Sequence, residues 1–337
     1  MQTLIISQQE AAKLLPMNEC IGVMERAFRT LANANGLQPL RASLNLPEGN
    51  VLALMPAYLS DIQSVGAKII SVFPKNHGTA YDAHQGVVLL FDTTNGELCA
   101  IIDATAITAI RTGAVSGLAT KLLANSEAGN LALLGAGTQA RGHLEAMMLV
   151  RKIRRVRVWD LFGARATEFA QRESSRMGVP IEVVDNAREA VIGADLICTT
   201  TASKEPVLMG QWIAQGAHIN AVGASIPQAR ELDSAAVVNS RMFVDWRESA
   251  LNESGDFLFP KKEGLLGNDH ILGNIGDVLE GKIEGRKSFG EITLFKALGL
   301  AIEDLASAFF IYNQALEKGI GTSVEIGGQH FASNVRE

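Results

Sequence analysis

Apolar positions between about Asn130 and Val244 fall into short runs separated by stretches of helical period, the pattern of a sheet whose strands alternate with helices. Leu131–Leu134, Val156–Trp159, Ile181–Val184, Asp195–Thr200, His218–Val222 and Met242–Val244 are the predicted strands of that sheet. The residues before it differ in texture. Helical periodicity over Ser7–Ala34 gives way to strand candidates at Arg41–Leu46, Val51–Tyr58, Ala67–Phe73, Gly86–Phe91 and Leu98–Asp103, the last two joined by an Asn95-Gly96 hairpin turn. Thr293–Leu316 has long helical periodicity and is expected to return to this first part. The fold predicted is α/β: a Rossmann-type, doubly wound parallel sheet over 125–304, inserted in a discontinuous α+β domain made of 1–124 plus 305–337.

The first strand of the sheet runs into Gly135-Ala136-Gly137-Thr138-Gln139-Ala140 and then into a helical segment ending near Val150. This G-x-G-x-x-A spacing suits a dinucleotide pyrophosphate. Gly135 permits the tight turn and Gly137 lets backbone approach the phosphates. Ala140 lets the helix pack on the strand, while the free N–H groups of Thr138 and Gln139 open the helix toward the anion. A glycine-rich turn in an ordinary strand–helix–strand unit is the alternative. Asp160, at the end of the next strand, favours the dinucleotide, because it stands where a ribose hydroxyl would be gripped. NAD(H) is therefore the expected cofactor. Arg165 could pair with a 2′-phosphate and keeps NADP(H) open. Thr200, Gly223 and Ala224, at the ends of later strands, are further candidate cofactor contacts.

Composition narrows the picture. The 337 residues, 47% hydrophobic and 20% charged, are enough for about two domains with real cores. A formal charge of −6 offers no general attraction to nucleic acid or to an anionic membrane. The basic cluster Arg151, Lys152, Arg154, Arg155 and Arg157 reads as a solvated helix end. The longest uncharged run, Pro206–Ala229, contains Gln211, His218, Asn220 and Pro227 and is core rather than a membrane span. Cys20, Cys99 and Cys198 show no paired spacing, and the start of the chain lacks a secretory pattern, so a cytoplasmic protein with reduced thiols is expected. The histidines, His77 and His84 among them, have no zinc-type spacing, and no metal is expected. Gly281–Ser288 lacks the glycine and preceding strand of a phosphate loop and reads as a surface turn.

Two cations stand where apolar residues are expected. Lys68 is the one charge in Val65–Val72, and Arg111 interrupts the small-residue helical run Ile107–Gly117. A buried cation needs an anion. That anion is either a protein carboxylate, such as Asp82, Asp103 or another acid, or the carboxylate of a ligand.

Arg41 in L-R-A-S-L, Lys68 in G-A-K-I-I, Gly86 in H-Q-G-V-V-L-L and Arg111 in T-A-I-R-T-G-A-V-S-G-L-A belong to a wider set of motifs. With G-A-G-T-Q-A, G-A-S-I-P-Q-A-R-E-L-D and I-T-L-F-K-A-L-G-L-A-I-E-D, they resemble the ornithine cyclodeaminase/mu-crystallin family over Ser7 to about Gly321. The resemblance implies a homodimer whose outer domain binds substrate and makes the dimer. It also implies an amino or imino acid whose carboxylate meets Arg41, Lys68 and Arg111. In cyclodeaminases of the family an Asp handles the substrate amine at the position of Ser225, and a serine carries no charge at neutral pH. The G-A-S-x-P and R-E-L-D version is similar to the ketimine reductase branch. It implies NAD(P)H-dependent reduction of pyrroline-2-carboxylate or piperideine-2-carboxylate to proline or pipecolate. Lys68 would supply charge or a proton, and Ser225 and Thr79 would orient the ring nitrogen or a water. Ornithine cyclodeaminase, an alanine-type dehydrogenase and a nucleotide-binding crystallin without turnover are the alternatives.

Overall fold

The structure, a computed structural model, describes residues 2–76 and 79–327. His77, in the metal expectation above, and residues 328–337, which close the expected 305–337 segment, lie outside the described residues. The chain divides into two compact units. The first draws on the described residues of Met1–Val23, Asn33–Ile110 and Leu300–Glu337; the second comprises Met24–Ala32 and Arg111–Gly299.

The chain opens with β1 (Gln2–Ile6), α1 (Gln8–Leu14) and α2 (Met17–Ala32). Pro16 separates the two helices within the single periodic stretch, since proline cannot continue α1 but is tolerated ahead of a new helix. Then come β2 (Gly36–Leu37), β3 (Ala42–Asn45), β4 (Val51–Leu59), β5 (Ser64–Val72), β6 (His84–Asp92) and β7 (Leu98–Asp103). β4 to β7 form an antiparallel meander, and Gly96 at φ +76° takes the left-handed turn position between β6 and β7. α3 (Ala104–Leu123) follows and is buried on nearly every side, which suits its small and aliphatic composition.

The second unit continues with β8 (Asn130–Leu134), α4 (Thr138–Val150), β9 (Arg155–Trp159), α5 (Gly163–Met177), β10 (Ile181–Val183), α6 (Ala187–Val191), β11 (Leu196–Thr199) and β12 (His218–Ala221). It ends with α7 (Ser234–Val238), β13 (Arg241–Val244), α8 (Arg247–Glu253), α9 (Gly255–Lys262), β14 (Ile271–Asn274), α10 (Ile275–Leu279) and β15 (Thr293–Lys296). Among the described residues these eight strands make one parallel sheet, ordered β10-β9-β8-β11-β12-β15-β13-β14. Two of its strands were not foreseen. Thr293–Lys296, read as the start of a long helix, is a strand between β12 and β13, and the helix begins only at Ala301. A short apolar run buried on both faces has no period to separate it from helix, and Gly299 at φ +81° marks the true break.

Arg151 and Arg286 hold the carboxyl end of α3. Arg151 donates to the carbonyls of Thr120, Ala124 and Asn125, and Arg286 donates through Nε to that of Leu123 at 2.7 Å. Thr120 O also accepts from Ala124 N at 3.1 Å, and a cation suits the negative end of the helix dipole. Arg151 thus serves two helix ends, that of α3 and, by donating to Val150 O at 2.8 Å, that of α4 as the sequence suggested. Arg154 and Arg157 instead pair with Asp195 and Glu182.

The chain finishes in the first unit with α11 (Ala301–Lys318) and β16 (Thr322–Glu325). The first sheet runs β16-β1-β7-β6-β5-β4-β2, with β3 added on β4. α11 packs on β4, β5 and β6 and covers Ala53, Met55, Ala57, Gly66, Ile70, Val88 and Leu90. Gly66 is required there, because a Cβ would run into the backbone oxygen of Leu89 and also meet Leu305 Cδ1 at 2.8 Å.

Candidate functional site

The fingerprint loop lies where a doubly wound sheet binds its ligand. β8 pairs with β9 on one side and β11 on the other, so the helices following these strands diverge at the carboxyl end of β8. Gly135 adopts φ +101°, donates its N–H to Trp159 O at 2.8 Å, and leaves no room for a side chain, since a Cβ would stand 2.8 Å from Thr200 O. Gly137 is the N-cap of α4, and a Cβ there would meet nothing within 4 Å. Backbone is therefore open to a ligand at the end of a helix whose first amides, at Thr138, Gln139 and Ala140, have no intrahelical acceptors. Ala140 is buried against the sheet. These residues fit a dinucleotide.

Asp160 stands at the end of β9 and does two jobs. Its Oδ2 accepts from Ala136 N at 2.9 Å and its Oδ1 from Phe162 N at 2.9 Å, so the carboxylate fixes the fingerprint turn and its own loop. Each oxygen has a second lone pair for a ribose hydroxyl. Arg165 is exposed, with its guanidinium 4.8 Å from the centre of the Phe162 ring. Thr200 follows β11 and donates both N–H and hydroxyl to Leu134 O. Gly223 and Ala224 follow β12, and Val222 and Gly223 donate to Thr199 O at 3.0 and 3.2 Å. Ser225, half-buried, is next in the loop. The fold thus gathers Gly135, Gly137, Thr138, Gln139, Ala140, Asp160, Thr200, Gly223, Ala224 and Ser225 at one end of one sheet.

Of the cations, Lys68 is 3% exposed on β5, and its Nζ lies 2.6 Å from Oδ2 of Asp304, which is fully buried on α11. A protein carboxylate that meets Lys68 is therefore another acid, Asp304, from the far end of the chain. The ammonium carries three donors, so this pairing does not preclude a second anion. Arg41 immediately precedes β3. The Ala42–Leu54 and Met55–Lys68 pairs put Arg41 and Lys68 at about the same level of the first sheet. Arg111 is 4% exposed in α3, against Gly299, where a Cβ would stand 2.8 Å from Nη1 and 2.9 Å from Nη2. Asp245 accepts from the N–H groups of Leu298 and Gly299 at 2.5 and 2.8 Å and fixes that turn. Thr79 is exposed in the β5–β6 connection. Its hydroxyl donates to Asn76 O at 2.8 Å and accepts from Tyr81 N, the pattern of a turn-forming residue.

Sequence reasoning singled out neither the buried Ser116–His143 pair nor the carboxylates under the Gly223 loop. His143 Nδ1 contacts Gln139 O at 2.7 Å and its Nε2 contacts Ser116 Oγ at 2.8 Å. A carbonyl can only accept, so the proton sits on Nδ1 and Ser116 donates to Nε2. Complete burial lowers the His143 pKa to about 4, which keeps the ring neutral beneath the first turn of α4. Among the described residues no cluster of three or more His, Cys, Asp or Glu could hold a metal, and no helix is long and apolar enough to cross a membrane.

A parallel sheet in this order, with a glycine-rich turn and a helix amino terminus at its switch point, defines a dinucleotide-binding protein of the Rossmann class. The chain belongs to the ornithine cyclodeaminase/mu-crystallin family, whose sequence profile matches residues 1–319. It is 38% identical over 324 residues to a Delta(1)-pyrroline-2-carboxylate reductase of Bacillus cereus, covering 96% of this chain and 99% of the relative. Its structure is similar to that of the Thermococcus litoralis Delta(1)-pyrroline-2-carboxylate reductase in complex with NADH and L-proline, with TM-score 0.94 and 40% identity over 96% of this chain and 100% of the other. It is also similar to an archaeal alanine dehydrogenase dimer with bound NAD, with TM-score 0.92 and 33% identity over 97% of this chain and 100% of that one.

Proposed function

We propose that this chain is an NAD(P)H-dependent reductase of a cyclic α-imino acid, converting pyrroline-2-carboxylate or piperideine-2-carboxylate to proline or pipecolate. The observation that carries the reading is the end of β12. Beside a dinucleotide fingerprint stands Ser225, a residue that can hydrogen-bond a ring nitrogen but offers no carboxylate to an amine. Similarity to reductases of this class supports it.

In this reading residues 125–304 hold the dinucleotide, which when bound supplies the hydride. The amides of Thr138, Gln139 and Ala140 face its phosphates, and Asp160 accepts from its ribose. Arg41 and Arg111 fix the substrate carboxylate, which sets the approach of the imine carbon. Lys68 Nζ donates to the imine nitrogen, and the buried Asp304 carboxylate favours the charged ammonium until then. Ser225 orients the ring nitrogen or a water, while the Thr79 hydroxyl is engaged in its own turn.

The test is direct. The purified protein should oxidise NADH with either cyclic imino acid and release no ammonia from L-ornithine with NAD. Steady ammonia release would establish a cyclodeaminase, oxidative deamination of L-alanine a dehydrogenase, and tight NADH binding with no turnover of any of these a binding protein. Cofactor choice provides a second measurement. Asp160 repels a 2′-phosphate, so kcat/KM should favour NADH over NADPH, and Asp160→Ser should narrow the gap. Equal values for the two cofactors in the parent would remove Asp160 from this role.

We also propose that the first unit pairs with a second copy of the chain. The face of the sheet opposite α11 carries Leu44, Leu52, Leu54 and Val65 exposed, with Ile69, Val87 and Leu89 half-buried. Register puts Leu44 beside Leu52, and Leu54 in line with Ile69 and Val87. A free antiparallel sheet face is ordinarily polar, and an apolar one marks an interface. Sedimentation should give a dimer, dissociated by Leu54→Glu with Ile69→Glu; a monomeric parent would refute it.

A further inference from the structure

Beneath the Gly223–Ser225 segment lies a set of charges that the reaction above does not use. Lys296, at the end of β15, is fully buried. Its Nζ donates to Ala224 O at 2.5 Å and lies 2.8 Å from Oδ2 of Asp256, also fully buried. Asp256 stands in the first turn of α9, and its Oδ1 accepts from the N–H groups of Glu231 and Leu232 at 2.8 and 3.0 Å. The buried Glu231 carboxylate completes the set. Its Oε2 accepts from Gly223 N at 2.7 Å and from Thr199 Oγ1 at 2.8 Å, and its Oε1 from Thr201 N at 2.6 Å and Thr201 Oγ1 at 2.7 Å.

One end of the network therefore holds the N–H of Gly223 and the other the carbonyl of Ala224. The same carboxylate that grips Gly223 also grips both sides of Thr200. The segments leaving β11 and β12 are thus set relative to each other by Glu231, and Gly223 must lack a side chain because a Cβ would run into Thr201 O. Gly255 serves the same purpose, since a Cβ there would collide with Ala229 O and push the start of α9, with Asp256, away. Burying three charges is a poor way to gain stability, because a well-packed apolar replacement is often as stable or more so. What charges do better is fix polar backbone in one arrangement.

We propose that Lys296, Asp256 and Glu231 are positioning residues that fix the Gly223–Ser225 segment against the Thr200 segment for hydride transfer. The proposal rests on the reductase reading. The decisive variant is Lys296→Met with Asp256→Asn in the full chain. It removes a balanced pair of charges and the bond to Ala224 O, while Oδ1 of the new asparagine still accepts from Glu231 and Leu232. Two readouts are needed, one independent of turnover. Hydrogen exchange over residues 222–226 should quicken about tenfold or more while residues 130–134 and 196–199 keep the parent rate. The kcat for imine reduction should fall about tenfold or more with the Kd for NADH within about threefold of the parent. Unchanged exchange over 222–226, parental kcat despite a loosened segment, or loss of the fold would each overturn the proposal, the last by making the network a support of the sheet. A parent protein that reduces no cyclic imine refutes the reductase reading, and the local exchange rates still decide whether the network fixes this segment.

Discussion

Replacing Arg111 with alanine is expected to lower kcat/KM for the cyclic imino acid about tenfold to hundredfold and leave NADH binding intact. The argument starts from burial. A guanidinium that is 4% exposed in a helix of small apolar residues has given up most of its water, and each charge-assisted bond it makes to a carboxylate contributes about 1.5–3 kcal/mol. Arg111→Lys keeps the charge but loses the planar fork, so it should recover only part of the rate. Substrate saturation curves with NADH titrations decide this. If the alanine variant unfolds instead, or binds NADH and substrate equally poorly, the partner that matters to Arg111 is internal.

Lys68 gives the second large effect, and it is one of stability first. Lys68→Met would leave the Asp304 carboxylate buried without its cation, which costs about 3–5 kcal/mol. Lys68→Met with Asp304→Asn removes both charges, so its denaturation midpoint should return most of the way to the parent. Imine reduction should stay lost, because the proton donor has gone. A double variant that regains both stability and turnover would show that Lys68 only neutralises Asp304. A single variant as stable as the parent would show that the pair does not hold α11 to the sheet.

The legible parts of this protein were the local ones. Leu131–Ala140 announces strand, turn and helix within ten residues, and the structure keeps them in that order with Gly135 at positive φ. Lys68 and Arg111 stood out as charges inside apolar runs. The same signal was present at Lys296 in T-L-F-K-A-L and at Asp256 in G-D-F-L-F-P, so the network under Gly223 could have been suspected from it. What could not be read was pairing across long separations. Nothing near Lys68 points to Asp304, because that contact exists only once α11 lies on β5. β15 was missed for a related reason: its apolar residues satisfy a strand and a helix equally, and only its place between β12 and β13 decides. Thr79 shows the opposite limit, a residue suggested by resemblance whose hydroxyl is engaged within its own turn.

That late insertion of β15 also orders events during synthesis. As the chain leaves the ribosome, β8 to β12 can pair with one another as soon as each is made, since all are neighbours in the order β10-β9-β8-β11-β12. β13 and β14 find no place on that growing edge until Thr293–Lys296 emerges and bridges them to β12. Until then one edge of β12, with its backbone N–H and C=O groups, has no strand to pair with. The residues between β14 and β15 thus measure how long that edge must wait for its partner strand.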